Sequence, residues 1–185
     1  MKKNLGKVMA LYPMPLVVVG TMIEGKPNWL IAGHVGIIGH DRLMLSSMKN
    51  HYTNIGVREN KVLSVNIVDE KLLPKADYVG SVSGFKIDKS EVFSWHIGEF
   101  GAPILEESLL VMECHVEDIY ETIAFDNFVL EISATLAEES ILNAEGKIDY
   151  NILKPILFEF PTYSYYKTGD FAGKCLKLDK EKNHE

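Results

Sequence analysis

The sequence predicts a mainly-β fold: a six-stranded antiparallel barrel, closed or split, with a few short helices. Two long segments alternate apolar and polar residues with a period of two, several short β-branched runs are bounded by turn residues, and little of the chain carries a helical pattern. Strands that follow one another with so little helix between them do not build βαβ crossovers, which favours a barrel over a doubly wound sheet.

Residues 16–23 are dense in valine and form the first strand, Glu24-Gly25-Lys26-Pro27 supplies a hairpin turn, and residues 28–35 return. A glycine-bracketed connection at 36–41 leads to a third strand at 42–48. A helix starting at Asn50 or His51 and running to Glu59 has only Ile55 and Val57 as apolar anchors, which limits it to about two turns. Residues 62–68 return as the fourth strand. Residues 69–90, with Pro74, Gly80, Gly84 and several charges, read as a long irregular connection of the kind that carries function.

The fifth and sixth strands form the long pair. Leu110, Met112, Cys114 and Val116 alternate with Val111, Glu113, His115 and Glu117, which predicts a strand with one wet face; Leu130, Ile132, Ala134 and Leu136 repeat the pattern. Residues 121–126 separate them as in a large hairpin. A turn at 143–147, a short helix limited by Pro155, and an aromatic cluster at Tyr163, Tyr165 and Tyr166 complete the chain. One domain is expected over residues 1–178, followed by a charged tail, 179–185, that frays.

With 185 residues, 46% of them hydrophobic, the chain can bury one sizeable core. A formal net charge of −7 without a basic stripe argues against nucleic acid as a partner, while a single phosphate can still be held by one or two cations and backbone N–H groups. The apolar run at 16–19 is interrupted by Gly20, so neither a signal peptide nor a membrane span is expected and a cytoplasmic location is. Cys114 and Cys175 form no CxxC pattern and are expected to be plain thiols, and the histidines lack metal-ligand spacing, so no metal is expected. No GxSxG, Walker A or GxGxxG motif occurs, which removes local support for a serine hydrolase, a P-loop NTPase or a Rossmann dehydrogenase.

Three constellations carry chemistry. Ser46 to Asn54 gathers hydroxyls, an amide and Lys49 at a strand-to-helix junction, where free N–H groups and the helix dipole suit a phosphate; ordinary N-capping accounts for the same residues. Asn28 to Gly36 places small residues after a bulky strand, so that Gly33 and Gly36 admit a flat ligand or mark a bulge. Asp77 to Lys89 sets two glycines and two serines among alternating charges, a pattern that a solvated loop also shows.

Taken in order, these segments resemble the flavin-reductase-like family of FMN-binding split barrels, most closely its flavoredoxin branch, over roughly residues 10–178. The matching pieces are Pro15 with the strand Leu16-Val-Val-Val-Gly-Thr, Asn28 and Ala32 in the return strand, Ser46-Ser47-Met48-Lys49 with Thr53 downstream, and the Gly80-x-x-Ser83-Gly84-x-x-x-Asp88-Lys89 loop. Gly101-Ala102-Pro103-Ile104-Leu105 followed by Met112-Glu113-Cys114 completes the series.

The resemblance implies a homodimer with FMN near the subunit interface. The flavin would touch Asn28, Ala32, Gly33, His34 and Val35, then Ser47, Met48, Lys49 and Thr53. Lys49 and Thr53 are the implied phosphate ligands, Trp29 lies against the ring or in the core, and Asp77 and Ser83 belong to the second half of the pocket. Members that use NAD(P)H commonly carry G-D-H or G-N-H before the last long strand, where this chain reads Phe125-Asp126-Asn127-Phe128. That departure favours flavoredoxin-like electron transfer to an unidentified redox partner or small-molecule acceptor. NAD(P)H-dependent flavin reduction, with NAD(P)H as transient donor, and a non-redox module for another flat anionic ligand are the alternatives.

Overall fold

The computed structural model describes residues 1–178, and the tail assigned to 179–185 lies outside the described residues. The chain runs β1 (Met14–Pro15), β2 (Val17–Ile23), β3 (Lys26–Ala32), β4 (Val35–Ile37), β5 (Arg42–Met48), α1 (Thr53–Asn60), β6 (Val62–Ile67) and α2 (Leu73–Ser81). It continues through β7 (Trp95–Ile97), β8 (Pro103–Leu105), β9 (Leu110–Glu121), β10 (Phe125–Ala137), α3 (Tyr150–Leu153), β11 (Ile156–Glu159) and β12 (Ser164–Lys167).

All six expected strands form, and together with short β4 they make one curled antiparallel sheet in the order β3-β2-β6-β9-β10-β5-β4. Its two edge strands, β3 and β4, are consecutive in the chain and do not pair with each other, so the barrel is split along that seam. Register shifts between Val129 and Leu130 and between Ile132 and Ala134 bend β10 against β9, as bulges do where a sheet must curl.

The valine run is apolar on both faces because both faces are covered. Val17 and Val19 point into the curl with Leu45, Leu63, Val65 and Phe128, while Leu16 and Val18 pack outward with Trp29, Leu72, Ala76 and Val79 under α2. Two expectations are corrected here. The segment 69–90 is not irregular throughout: α2 occupies its first half, started by Pro74 within its first turn, and supplies the outer layer. Glu113, placed on a wet face by alternation, is 1% exposed, because the β7–β8 hairpin covers it and its Oε1 accepts from the N–H groups of Phe100 (3.1 Å) and Ala102 (3.2 Å). The Gly-Ala-Pro and Met-Glu-Cys pieces of the sequence pattern thus touch one another.

Helix α1 closes one end of the curl through Val57, which is 1% exposed. Its Gly56 lies on β2 so closely that an added Cβ would stand 2.5 Å from the Met22 carbonyl oxygen and 2.7 Å from Thr21 Cγ2. Gly→Ala inside a helix normally stabilises by about 1 kcal/mol. Here the sign reverses: Gly56→Ala is expected to destabilise by about 2 kcal/mol, the scale of overpacking against backbone. Urea unfolding measures it, and a variant at or above wild-type stability would show that α1 is not seated on β2.

Candidate functional site

A cleft of about 410 Å³ opens at the split, within the usual range of about 300–1,000 Å³ for small-molecule sites. The chain leaves β3 at Gly33, crosses the seam in two residues and re-pairs on β5 as β4, with Ser46 N donating to the His34 carbonyl (2.9 Å). One wall is Leu30, Ile31 and Ala32 from β3, another is Leu45 to Met48 from β5, and Asp77 and Gly80 of α2 form the floor. The β11–β12 hairpin lays Phe158, Phe160, Tyr163 and Tyr165 across the mouth, and Phe125 enters from the start of β10.

Of the twelve residues predicted from sequence, six line this cleft: Ala32, Gly33, His34, Ser47, Met48 and Asp77. Gly33 is there because no side chain fits, since a Cβ would meet Phe158 Cδ1 at 2.5 Å. Asp77 accepts from Tyr165 Oη at 2.7 Å, tying α2 to β12 at the rim. Burial, and then Asp77, push the Tyr165 hydroxyl well above its ordinary value, so it stays a donor.

The other six are placed differently. Trp29 is fully buried with its ring edge-on to Phe93 at 5.4 Å, which makes it a core residue rather than a wall. Val35 sits on β4 and packs against the interior of the curl. Lys49 turns to the β9–β10 hairpin, where Nζ meets Glu121 Oε2 at 2.6 Å. Ser83 is exposed on the turn after α2, its hydroxyl accepting from Phe85 N at 3.3 Å. Asn28 and Thr53 are buried together, Asn28 Nδ2 donating to Thr53 Oγ1 at 2.7 Å.

Asn28 also lines a second recess, of about 360 Å³, with Tyr52, Gly84 and Lys89. Lys89 is 4% exposed and donates to the carbonyls of Trp29 (3.0 Å) and Val79 (2.7 Å), while burial brings its ammonium down to about 8. The Asp88-Lys89 pair therefore pins its loop, with Asp88 meeting Lys26 at 2.7 Å on β3.

Sequence reasoning missed the aromatic mouth and His51. The tyrosine cluster was visible, but no local signal assigns a hairpin to a distant seam. His51 stood inside the flagged segment without a spacing that marks it. Asn127, which stands where NAD(P)H-using relatives carry histidine, is turned into the sheet: its Oδ1 accepts from Ser46 Oγ (2.7 Å) and its Nδ2 donates to the Tyr120 carbonyl (2.8 Å). The residue that faces the cleft from that strand is Phe125, beside His34 with ring centroids 6.3 Å apart.

His34 Nε2 lies within hydrogen-bond distance of Tyr12 Oη. Burial holds both His34 and His51 below the ordinary imidazole range, and the nearby Lys89 charge adds to the shift of His51. A lowered folded value means that the unfolded chain binds the proton first, near pH 6.5. The stability these neutral rings contribute is complete above that pH and declines as pH falls towards their lowered values. Denaturation at about pH 7.5 and about pH 5.5 should show that loss, and a His34→Gln, His51→Gln double variant should lose less than wild type.

Cys114 and Cys175 are free thiols, and burial pushes Cys114 up to about 12, which leaves it unreactive. Among the described residues no cluster of three or more His, Cys, Asp or Glu side chains is arranged to hold a metal, and no helix is long and apolar enough to cross a membrane.

A curled antiparallel sheet, split where its edge strands meet and roofed by aromatic rings over a glycine edge, defines a class: a split-barrel protein with an aromatic-lined cleft at its seam. The chain belongs to the flavin reductase like domain family, whose model matches residues 9–163, and within it to the flavoredoxin branch. It is 36% identical to a flavoredoxin from Methanosarcina acetivorans, with a TM-score of 0.92 and 98% of each chain covered. It is 30% identical to the flavoredoxin of Desulfovibrio vulgaris (Miyazaki F), with a TM-score of 0.89, covering 97% of this chain and 100% of that one. An uncharacterised protein of Aeropyrum pernix is 27% identical, over 93% of this chain and 72% of its own length. Membership makes the chain a flavin-binding protein of oxidoreductase type.

Proposed function

We propose that the protein is a flavoredoxin-like electron carrier holding one FMN in the cleft at the barrel split. The observation that carries this reading is the composition of the cleft: apolar and aromatic walls, a glycine edge that lets a ring lie against backbone, and a few convergent polar groups at Ser47, His51 and Asp77. FMN, when bound, supplies the electron chemistry, and the protein supplies position and electrostatics. Ala32, Gly33 and His34 would edge the ring. Thr53 and Asn28 would hold the ribityl phosphate within the positive field of the buried Lys89, and Ser47 and Met48 would border the ribityl chain. The aromatic hairpin would keep water off one side while leaving an edge for a partner to dock. Phe125 and the inward-turned Asn127 present no imidazole from β10, which favours a carrier over a nicotinamide-dependent reductase.

The carrier works as a homodimer in the cytoplasm on this reading. The test is anaerobic reduction of FMN-loaded protein by dithionite, NADH and NADPH in parallel, with mass measured in solution alongside. Dithionite alone is expected to bleach the flavin, in a particle of twice the chain mass. Rapid bleaching by NADH or NADPH would replace the carrier reading with a reductase, and colourless protein indifferent to added FMN would remove flavin binding itself.

A further inference from the structure

The cleft contains one side chain whose protonation pattern is dictated by a chain of hydrogen bonds reaching away from the site. Asn54 Nδ2 lies 2.9 Å from the Met48 carbonyl oxygen. A backbone carbonyl only accepts, so the amide nitrogen must face it and Oδ1 must face the other way. Asp126, held by Arg58 at 2.8 and 3.3 Å, accepts from the same Nδ2 at 3.1 Å and fixes the amide from its far side. Ser47 Oγ stands 2.6 Å from Asn54 Oδ1, a contact between two oxygens that requires a hydrogen between them, and only the serine has one.

The single hydroxyl hydrogen of Ser47 is thereby used. His51 Nδ1 lies 3.0 Å from the same oxygen, so the bond there must run from an Nδ1–H to the serine lone pair. With the ring neutral, Nε2 carries no hydrogen. It makes no hydrogen bond among the described residues, and the ring lines the cleft.

We infer that His51 is a tautomer-locked acceptor, presenting an unprotonated Nε2 to a hydroxyl or N–H donor of the bound flavin. The lock stands on the geometry alone, and the identity of the donor rests on the flavin reading above. A ligand able only to accept at that point is disfavoured, because it would leave two lone pairs opposed in a half-buried site. Arg58, Asp126 and Asn54 stand outside the cleft lining and act through Ser47 and His51.

Two measurements separate the lock from the donor. Long-range proton–nitrogen correlation spectra of the protein, with His51 assigned by its absence in His51→Asn, are expected to show a protonated Nδ1 and a bare Nε2, and Ser47→Ala is expected to abolish that preference. An Nε2–H tautomer in wild type, or a tautomer that ignores Ser47→Ala, would overturn the lock. For the donor, His51→Asn keeps a group for Ser47 and removes the distal acceptor, whereas His51→Gln reaches the distal position with an amide oxygen.

FMN affinity is expected to fall roughly tenfold in His51→Asn, the scale of one lost hydrogen bond, and to recover to within about threefold in His51→Gln. Titration with lumiflavin, which lacks the ribityl chain, assigns the donor. An equal loss there points to the ring N–H, and a loss confined to FMN and riboflavin points to a ribityl hydroxyl. Unchanged affinity in His51→Asn would overturn the contact. Failure of wild type to bind any flavin would remove the flavin reading and its donor together, while the spectra would still decide the lock.

Discussion

Gly33→Val is expected to leave the protein folded and free of flavin. The added Cβ would stand 2.5 Å from Phe158 Cδ1 and 3.3 Å from Cε1, so the ring must move. Its neighbours on the hairpin, Phe160, Tyr163 and Tyr165, lie with centroids 5.7 to 6.4 Å away, and the open direction is the cleft. Phe158 is only half-buried, and turning it into the cleft costs little packing, so stability should change by less than about 1.5 kcal/mol. The same movement fills the space a flat ligand needs. Flavin affinity should drop at least about a hundredfold, or roughly 2.7 kcal/mol. Fluorescence titration with FMN, beside a melting curve, checks both halves. A variant that binds FMN as wild type does would move the ring site away from the seam.

Asp126→Ala is the expected large loss of stability. The carboxylate is 2% exposed and accepts from Arg58 twice and from Asn54 once. Truncation strands a guanidinium that still keeps Glu121 at 2.9 Å and some water, so the cost is set below that of a wholly buried pair, at about 2–3 kcal/mol. For a chain of this length that corresponds to a melting temperature lower by roughly 4–12 °C. Lys26→Ala is the contrast: it breaks an ion pair at a similar distance, 2.7 Å, whose side chains are 67% and 53% exposed and screened by water, and should leave the melting curve nearly unmoved. Equal losses in the two variants would show that burial does not decide the strength of these pairs. Asp126→Ala should also weaken flavin binding, because Asn54 and through it Ser47 lose their anchor.

What was readable beforehand follows the range of the interactions concerned. The six strands were readable because period-two alternation and turn residues are local, and the seam residues Ala32, Gly33 and His34 were readable because two short contiguous segments carry them. The same locality misled at three places. Alternation put Glu113 in water, since nothing within its own strand says that the β7–β8 hairpin will cover it. The Pro74 and Gly80 signals suggested an irregular loop, yet Pro74 starts α2 and Gly80 lets it lie against Ile31. Lys49 carried the right charge in the right segment, but Glu121, far along the chain, claims its ammonium.

The sequence by itself determined the fold class, the family and the segments that border the cleft, because hydrophobic period, turn chemistry and ordered motifs are written residue by residue along the chain. Only the tertiary structure decided which side chains meet across the barrel split. Phe125, Phe158 and His34 come from segments far apart in the chain, and the tautomer of His51 depends on an amide fixed by Asp126 more than seventy residues away. Such contacts are made by the closing of the sheet, and a sheet closes through pairings between distant segments that no local pattern specifies.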